Sequence, residues 1–245
     1  MQIYYDNKFL TATIDYSTQN PNYPITNLQD TRLSRVFRTT DISGEYIKIS
    51  TSIKASRVAI LAHNFLATTV VKIQGNNTDV WTAPSLDQTL TYADGIMTAE
   101  FTEATYSYWR IYIHETVTLT YFQIGSIYLG TYLQLPGMKI DQTLPVITTS
   151  TASESDSGQS YGDLGYDYRN PVINYPYLTQ TQRAAMLAMW AEVKNVKPIV
   201  AVIWANSQAT ESPLYCRIDQ QELSFKRTEN TLYPWSVTIK YKEVF

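Results

Sequence analysis

Two histidines, one cysteine and a scatter of carboxylates are the residues here whose chemistry could go beyond packing. His63 sits in Leu61-Ala62-His63-Asn64-Phe65, directly after an apolar run of strand length. A histidine at a strand end has a pKa suited to general-base work. No serine or cysteine nucleophile with a matching local pattern accompanies it, so its plainer reading is a loop histidine whose ring bonds the backbone. His114 follows the run Trp109–Ile113 beside Glu115 and reads as a strand-end polar residue. Two histidines fall short of a three-histidine zinc site. Cys216, being alone, makes neither an internal disulfide nor a thiolate metal cluster. Glu154, Asp156, Asp163 and Asp167 are oxygen donors of the kind calcium takes, but their spacing departs from the calcium-loop pattern. Two carboxylates meeting in space would serve glycoside hydrolysis, an idea any pair of acids satisfies. No Gly-x-Ser-x-Gly elbow, P-loop or Gly-x-Gly-x-x-Gly turn occurs. The expectation is a protein with no catalytic residue, no metal and no cofactor, and so not an enzyme.

Aromatic side chains are the other chemical resource. The chain holds 20 Tyr and 5 Trp among its 245 residues. Trp81 and Tyr92 lie in turn-rich segments, where an exposed ring can stack on a sugar. With His63 they form the candidate ligand-binding set: Trp81, Tyr92 and His63. The competing reading places these rings in the core or in a subunit interface.

The elements that would carry these residues are mostly strands. Tyr, Thr, Ile and Val suit a half-buried pleated surface. Charged residues make up 17% of the chain and the net charge is -3, so no clustered basic face points to nucleic acid. No run of 18 apolar residues exists, so no membrane insertion is expected. The opening Met1-Gln2-Ile3-Tyr4-Tyr5-Asp6 lacks the basic and apolar regions of a signal peptide. Short strand-like runs follow one another from residue 46 to residue 130, with no helix-length periodic segment between them. That spacing favours an antiparallel sandwich over a parallel sheet.

The second half differs. Residues 148–168 are rich in Ser, Thr and Gly and read as a flexible loop. Two readings stay open for it, a floppy surface loop and an arm that orders on a neighbouring subunit. Glu154, Asp156 and Tyr161 would carry the arm. Thr179 with Gln182 matches a capping box. Met186, Met189, Trp190 and Val193 share one helical face, which predicts a core-facing helix over about 179–195. Ile199–Trp204 reads as a buried strand, and Trp235, Val237, Ile239 and Tyr241 alternate with Ser236, Thr238, Lys240 and Lys242. The expected fold class is mainly β. An antiparallel sandwich of jelly-roll kind spans 1–130. A small barrel or sandwich with one flanking helix spans 131–245.

Tyr23-Pro24-Ile25-Thr26-Asn27-Leu28-Gln29-Asp30, Ser34-Arg35-Val36-Phe37-Arg38, Ser56–Phe65 and Tyr108–Ile113 together resemble the galactose-binding-like (discoidin-type) sandwich modules of phage virion proteins. Arg169–Tyr177, Leu178–Gln182 and Trp235–Val244 resemble the ring-forming domain of tail-tube and distal tail proteins. The resemblance implies a structural component of a phage tail tip or baseplate, located in the virion and assembled in the host cytoplasm. It implies a homo-oligomer, a hexameric ring around the tail channel, with tube, hub and fibre proteins as partners. The order of the two units is reversed from that of many distal tail proteins. The alternative is a carbohydrate-binding module contacting host surface glycans. A third class, an enzyme acting on the cell envelope, lacks a nucleophile motif.

Overall fold

The computed structural model describes residues 1–116, 119–136, 145–203, 213–229 and 231–245. Strand β1 (Gln2–Tyr4) opens the chain. It is followed by β2 (Ile14–Tyr16), β3 (Phe37–Arg38), β4 (Glu45–Ile49), β5 (Ile53–Leu61), β6 (Val70–Asn76) and β7 (Leu86–Thr89). Then come β8 (Ile96–Tyr106), β9 (Tyr108–His114), β10 (Gln123–Ile124), β11 (Ser126–Gly130) and β12 (Leu133–Gln134). The second half holds β13 (Val146–Thr148), β14 (Thr151–Glu154), β15 (Ser160–Asp163), β16 (Asp167–Arg169) and β17 (Val172–Leu178). Helix α1 (Gln180–Val193), β18 (Ile199–Val202), β19 (Leu214–Ile218), β20 (Phe225–Arg227) and β21 (Trp235–Glu243) complete it. The mainly β class and the antiparallel sandwich are as expected from sequence.

A five-stranded sheet ordered β2-β4-β9-β6-β7 and a three-stranded sheet ordered β11-β5-β8 contribute to one core. The five-stranded sheet alternates cleanly. Ile47, Ile49, Val71, Ile73, Trp109, Ile111 and Ile113 point inward and are buried. Burying a side chain of this size contributes about 1.5–3 kcal/mol. Trp109 also keeps its polar handle satisfied, donating from Nε1 to the Ile53 carbonyl at 3.1 Å. Strands β5 and β11 are buried along most of their length because a second layer covers their other face. Ala59, Leu61 and Tyr128 pack there against Tyr4, Val200 and Tyr215.

That second layer is the sheet β12-β1-β18-β19-β21-β17, with β20 also paired to β21. β1 lies between β12 and β18, pairing Ile3 with Leu133 and with Ala201. The sandwich is therefore inserted between two neighbouring strands of the second sheet, and the first residues fall on the far side of the boundary expected at residue 130. Helix α1 is entered through the expected capping box, with Thr179 and Gln182 bonded reciprocally. Met186, Met189 and Val193 are buried against the second sheet, while Trp190 is only partly covered. Trp204, expected to end β18, lies outside the described residues.

The segment expected as a flexible loop over 148–168 is instead paired. Val146, Ile147 and Thr148 oppose Arg169, Tyr168 and Asp167, and Thr151–Glu154 oppose Asp163–Ser160. Gly158 turns the tip with φ 77°. Backbone pairing and Ser/Thr hydroxyl bonds hold this hairpin, so it needs no apolar alternation. That is why its composition reads as loop.

Candidate functional site

The open face of the five-stranded sheet gathers charged and aromatic side chains. The alternation that buries Trp109 and Ile111 turns Tyr108, Arg110, Tyr112 and His114 outward, and the same rule turns Tyr46, Lys48 and Lys72 to that side, where Gln74 lies buried beneath its neighbours. Cross-strand register then places Asp15, Lys48, Arg110, Gln74 and Asp87 in one row across all five strands. Lys48 Nζ lies 3.2 Å from Asp15. Arg110 Nε donates to Gln74 Oε1 at 2.7 Å, and Gln74 Nε2 donates to Asp87 Oδ1 at 3.1 Å. The next row runs Tyr46, Tyr112, Lys72, Thr89.

Trp81, in the turn between β6 and β7, joins this row from above. Its Nε1 donates to Asp79 Oδ1 at 2.8 Å, and Asp79 Oδ2 lies 2.9 Å from Lys48 Nζ. The Arg110 guanidinium sits 4.5 Å from the Trp81 ring centroid and 5.4 Å from that of Tyr112. The indole is thus fixed before any ligand arrives. Hydrogen bonds from Lys48 and then Trp81 hold the Asp79 carboxyl below its usual range. The bases Lys48, Lys72 and Arg110 are matched by the acids Asp15, Asp79 and Asp87, so the face carries no net charge.

His63 and Tyr92 come together elsewhere, in the loops after β5 and before β8. Their rings meet edge-on at 6.2 Å, and His63 stacks on Phe65 at 4.7 Å. Phe65 N donates to His63 Nδ1 at 3.2 Å, so the ring proton sits on Nε2, 3.1 Å from the Ala93 carbonyl. Burial lowers the His63 pKa, because the charged ring would be desolvated. Both ring nitrogens are committed to backbone, leaving none for a ligand or a proton transfer. Trp81 is therefore placed with Arg110, Tyr112, Lys48 and Asp79, which sequence reasoning did not single out. Their signal was the polar half of the alternation in β4 and β9, visible only once the strands are in register.

The hairpin of 146–169 is the second unusual surface. Leu164 is 98% exposed, Tyr166 61% and Tyr161 57%. At the hairpin's base Tyr166 and Phe245 meet edge-on at 5.6 Å, beside a shallow apolar cavity of about 480 Å³. Arg169 Nη2 lies 2.6 Å from Glu243 Oε1, and Arg169 N donates to Glu243 Oε2 at 2.8 Å, anchoring the hairpin to β21. Glu154 pairs across the ladder from Ser160, Tyr161 from Ser153, and Asp156 lies in the tip turn. Where the two layers meet, a cleft of about 380 Å³ is floored by Tyr4, Tyr128, Val200 and Tyr215. Among the described residues no group of three or more His, Cys, Asp or Glu gathers as a metal set, and no helix is long and apolar enough to cross a membrane.

No protein-family model matches the chain, and no curated protein matches it. Among solved structures, the chain is similar to a fucose-binding module of Streptococcus pneumoniae (SpX-3), at 12% identity and TM-score 0.43, over 52% of this chain and 98% of that one. It is similar to the family 32 CBM of C. perfringens NanJ, solved with galactose, at 15% identity and TM-score 0.42, over 54% of this chain and 99% of that one. The lectin domain of lectinolysin, solved with Lewis B antigen, matches at 10% identity and TM-score 0.41, over 49% of this chain and 93% of that one. Each likeness spans about half of this chain, and TM-scores below 0.5 bear no weight for its function.

Proposed function

We propose that the sandwich is a non-catalytic carbohydrate-recognition module whose contact surface is the open face around Trp81. The observation that carries this reading is the Trp81 indole held between Asp79 and Arg110, with Tyr112 on the same guanidinium. A saccharide presents apolar C–H faces ringed by hydroxyls. An immobilised indole meets the first need, and the ordered carboxylates and bases of the adjacent row meet the second. A glycan array probed with the whole chain tests the reading. Binding that disappears in Trp81→Ala, with the melting temperature unchanged, supports it. No binding to any glycan sinks it.

The hairpin favours a second reading, an assembly subunit of the phage tail-tip kind. A rigidly anchored hairpin with Tyr161, Leu164 and Tyr166 exposed presents apolar area that a neighbour would cover. On this reading the chain sits in the virion among tube, hub and fibre proteins, after assembly in the host cytoplasm. It would be a ring-forming homo-oligomer that turns its sandwich toward host glycans. The two readings are compatible, since they use different faces.

A further inference from the structure

The hairpin and one face of the second sheet carry opposite charge. From Val146 to Tyr168 the chain has four acids, Glu154, Asp156, Asp163 and Asp167, and no lysine or arginine. Among the described residues none of the four is within ion-pair distance of a base. The outward positions of β21 are Ser236, Thr238, Lys240 and Lys242. β20 adds Lys226 directly beside Ser236, and β19 adds Arg217 beside Lys242. Of these bases only Arg217 has an acid nearby, Asp219 at 3.9 Å. A polar groove of about 340 Å³ lies on this face, lined by Asn174, Glu222, Ser224, Lys226, Ser236 and Thr238.

We infer that the hairpin of one copy docks on this basic face of a second copy, seating its acidic tip between Lys226 and Lys240. The inference rests on the assembly reading above and names its acceptor. Charge complementarity selects the occupant, because the same chain supplies both halves. Within one chain the hairpin is anchored at its base by Arg169 and Glu243, with Lys242 over the Tyr168 ring at 4.8 Å, and its acids make no ion pair with Lys226 or Lys240 among the described residues. The contact joins two different patches, so it is head-to-tail, and repetition of it builds a ring or a filament rather than a closed pair. The opposed charges fix register and speed encounter, while Tyr161 and Leu164 supply the apolar area.

The test is the mass of the full chain by analytical ultracentrifugation across protein concentration, at low and high salt. Assembly that weakens at least tenfold in dissociation constant between low and high salt is expected. Lys226→Glu with Lys240→Glu, and separately Glu154→Lys with Asp156→Lys, are each expected to reduce assembly to the same degree. All four side chains are exposed, and unchanged melting of the variants confirms folding. Mixing the two reversed-charge proteins is expected to restore a complex, one pair of complementary surfaces per contact. Assembly of the wild type that neither reversal alters overturns the acceptor while leaving the assembly reading intact. A wild type that stays monomeric at every concentration overturns both.

Discussion

Arg57 and Glu100 face each other across the β5–β8 ladder with Nη2 2.5 Å from Oε1, and Arg57 is only 1% exposed. The Tyr132 ring lies 3.8 Å from the same guanidinium, and Arg57 Nε donates to Gln2 Oε1 at 3.3 Å. Gln2 belongs to β1 of the second sheet, so this buried cation ties the inserted sandwich to the sheet that carries it. Burial also pushes the hydroxyl of neighbouring Tyr4 up to about 12, keeping it a neutral donor to Gln2.

Glu100→Gln is expected to destabilise the protein, since it leaves Arg57 buried without a counter-charge. The Glu100 side chain is 63% exposed, so water screens much of the pair. The expected loss is therefore near the low end for a charged partner, about 1 kcal/mol. Urea unfolding checks it, and a midpoint equal to wild type would remove the pair from the seam's energetics.

Gly75→Ala is expected to lose about 1–3 kcal/mol by overpacking. A Cβ there would stand 2.3 Å from Tyr106 Cδ2, and the Tyr106 ring is held edge-on to Trp109 at 5.2 Å. Thermal melting of the single variant and of Gly75→Ala with Tyr106→Ala separates the causes. Recovery in the double variant is expected, and an unaltered single variant would mean the ring yields freely.

In helix α1, Met189→Ala is expected to lose about 2–5 kcal/mol, as for a filled core position. Trp190→Ala should lose less, because Trp190 is only partly covered despite sharing the apolar face. Chemical denaturation of both variants checks the order, and a larger loss at Trp190 would contradict the packing described.

The helix illustrates what a local pattern reveals. The Thr179–Gln182 box and the Met186–Val193 spacing are short-range signals, and both element and buried face follow from them. The alternation of Trp235–Lys242 likewise exposes strand and faces together. Partners across long sequence gaps leave no such trace. Nothing in Gln2-Ile3-Tyr4 indicates that it pairs with residues 133 and 201. The hairpin escaped because both its faces are solvated, so it has no apolar period to read. Trp81 was visible as an aromatic in a turn. Its support from Asp79, Lys48 and Arg110 depends on register across β4, β9 and β6.

Stability is expected to fall as the solution is acidified through the ordinary imidazole pKa of 6.5, partly through His63. Its pKa is lowered in the folded state by burial, so the unfolded chain takes up a proton that the folded chain refuses. The contribution is fully present above 6.5 and declines as pH drops toward the folded value. His63→Gln should flatten the pH dependence of unfolding free energy in that window. An identical slope in wild type and variant would show that His63 is not the group responsible.

Carbohydrate recognition through the Trp81 face is tested most directly by calorimetric titration of the whole chain. The ligand is the best glycan from an array, and wild type is compared with Trp81→Ala and Tyr92→Ala. The expected result is a loss of tenfold or more in affinity for Trp81→Ala, which is about 1.4 kcal/mol, with Tyr92→Ala unchanged. Equal affinity in wild type and Trp81→Ala would contradict the assignment of that face.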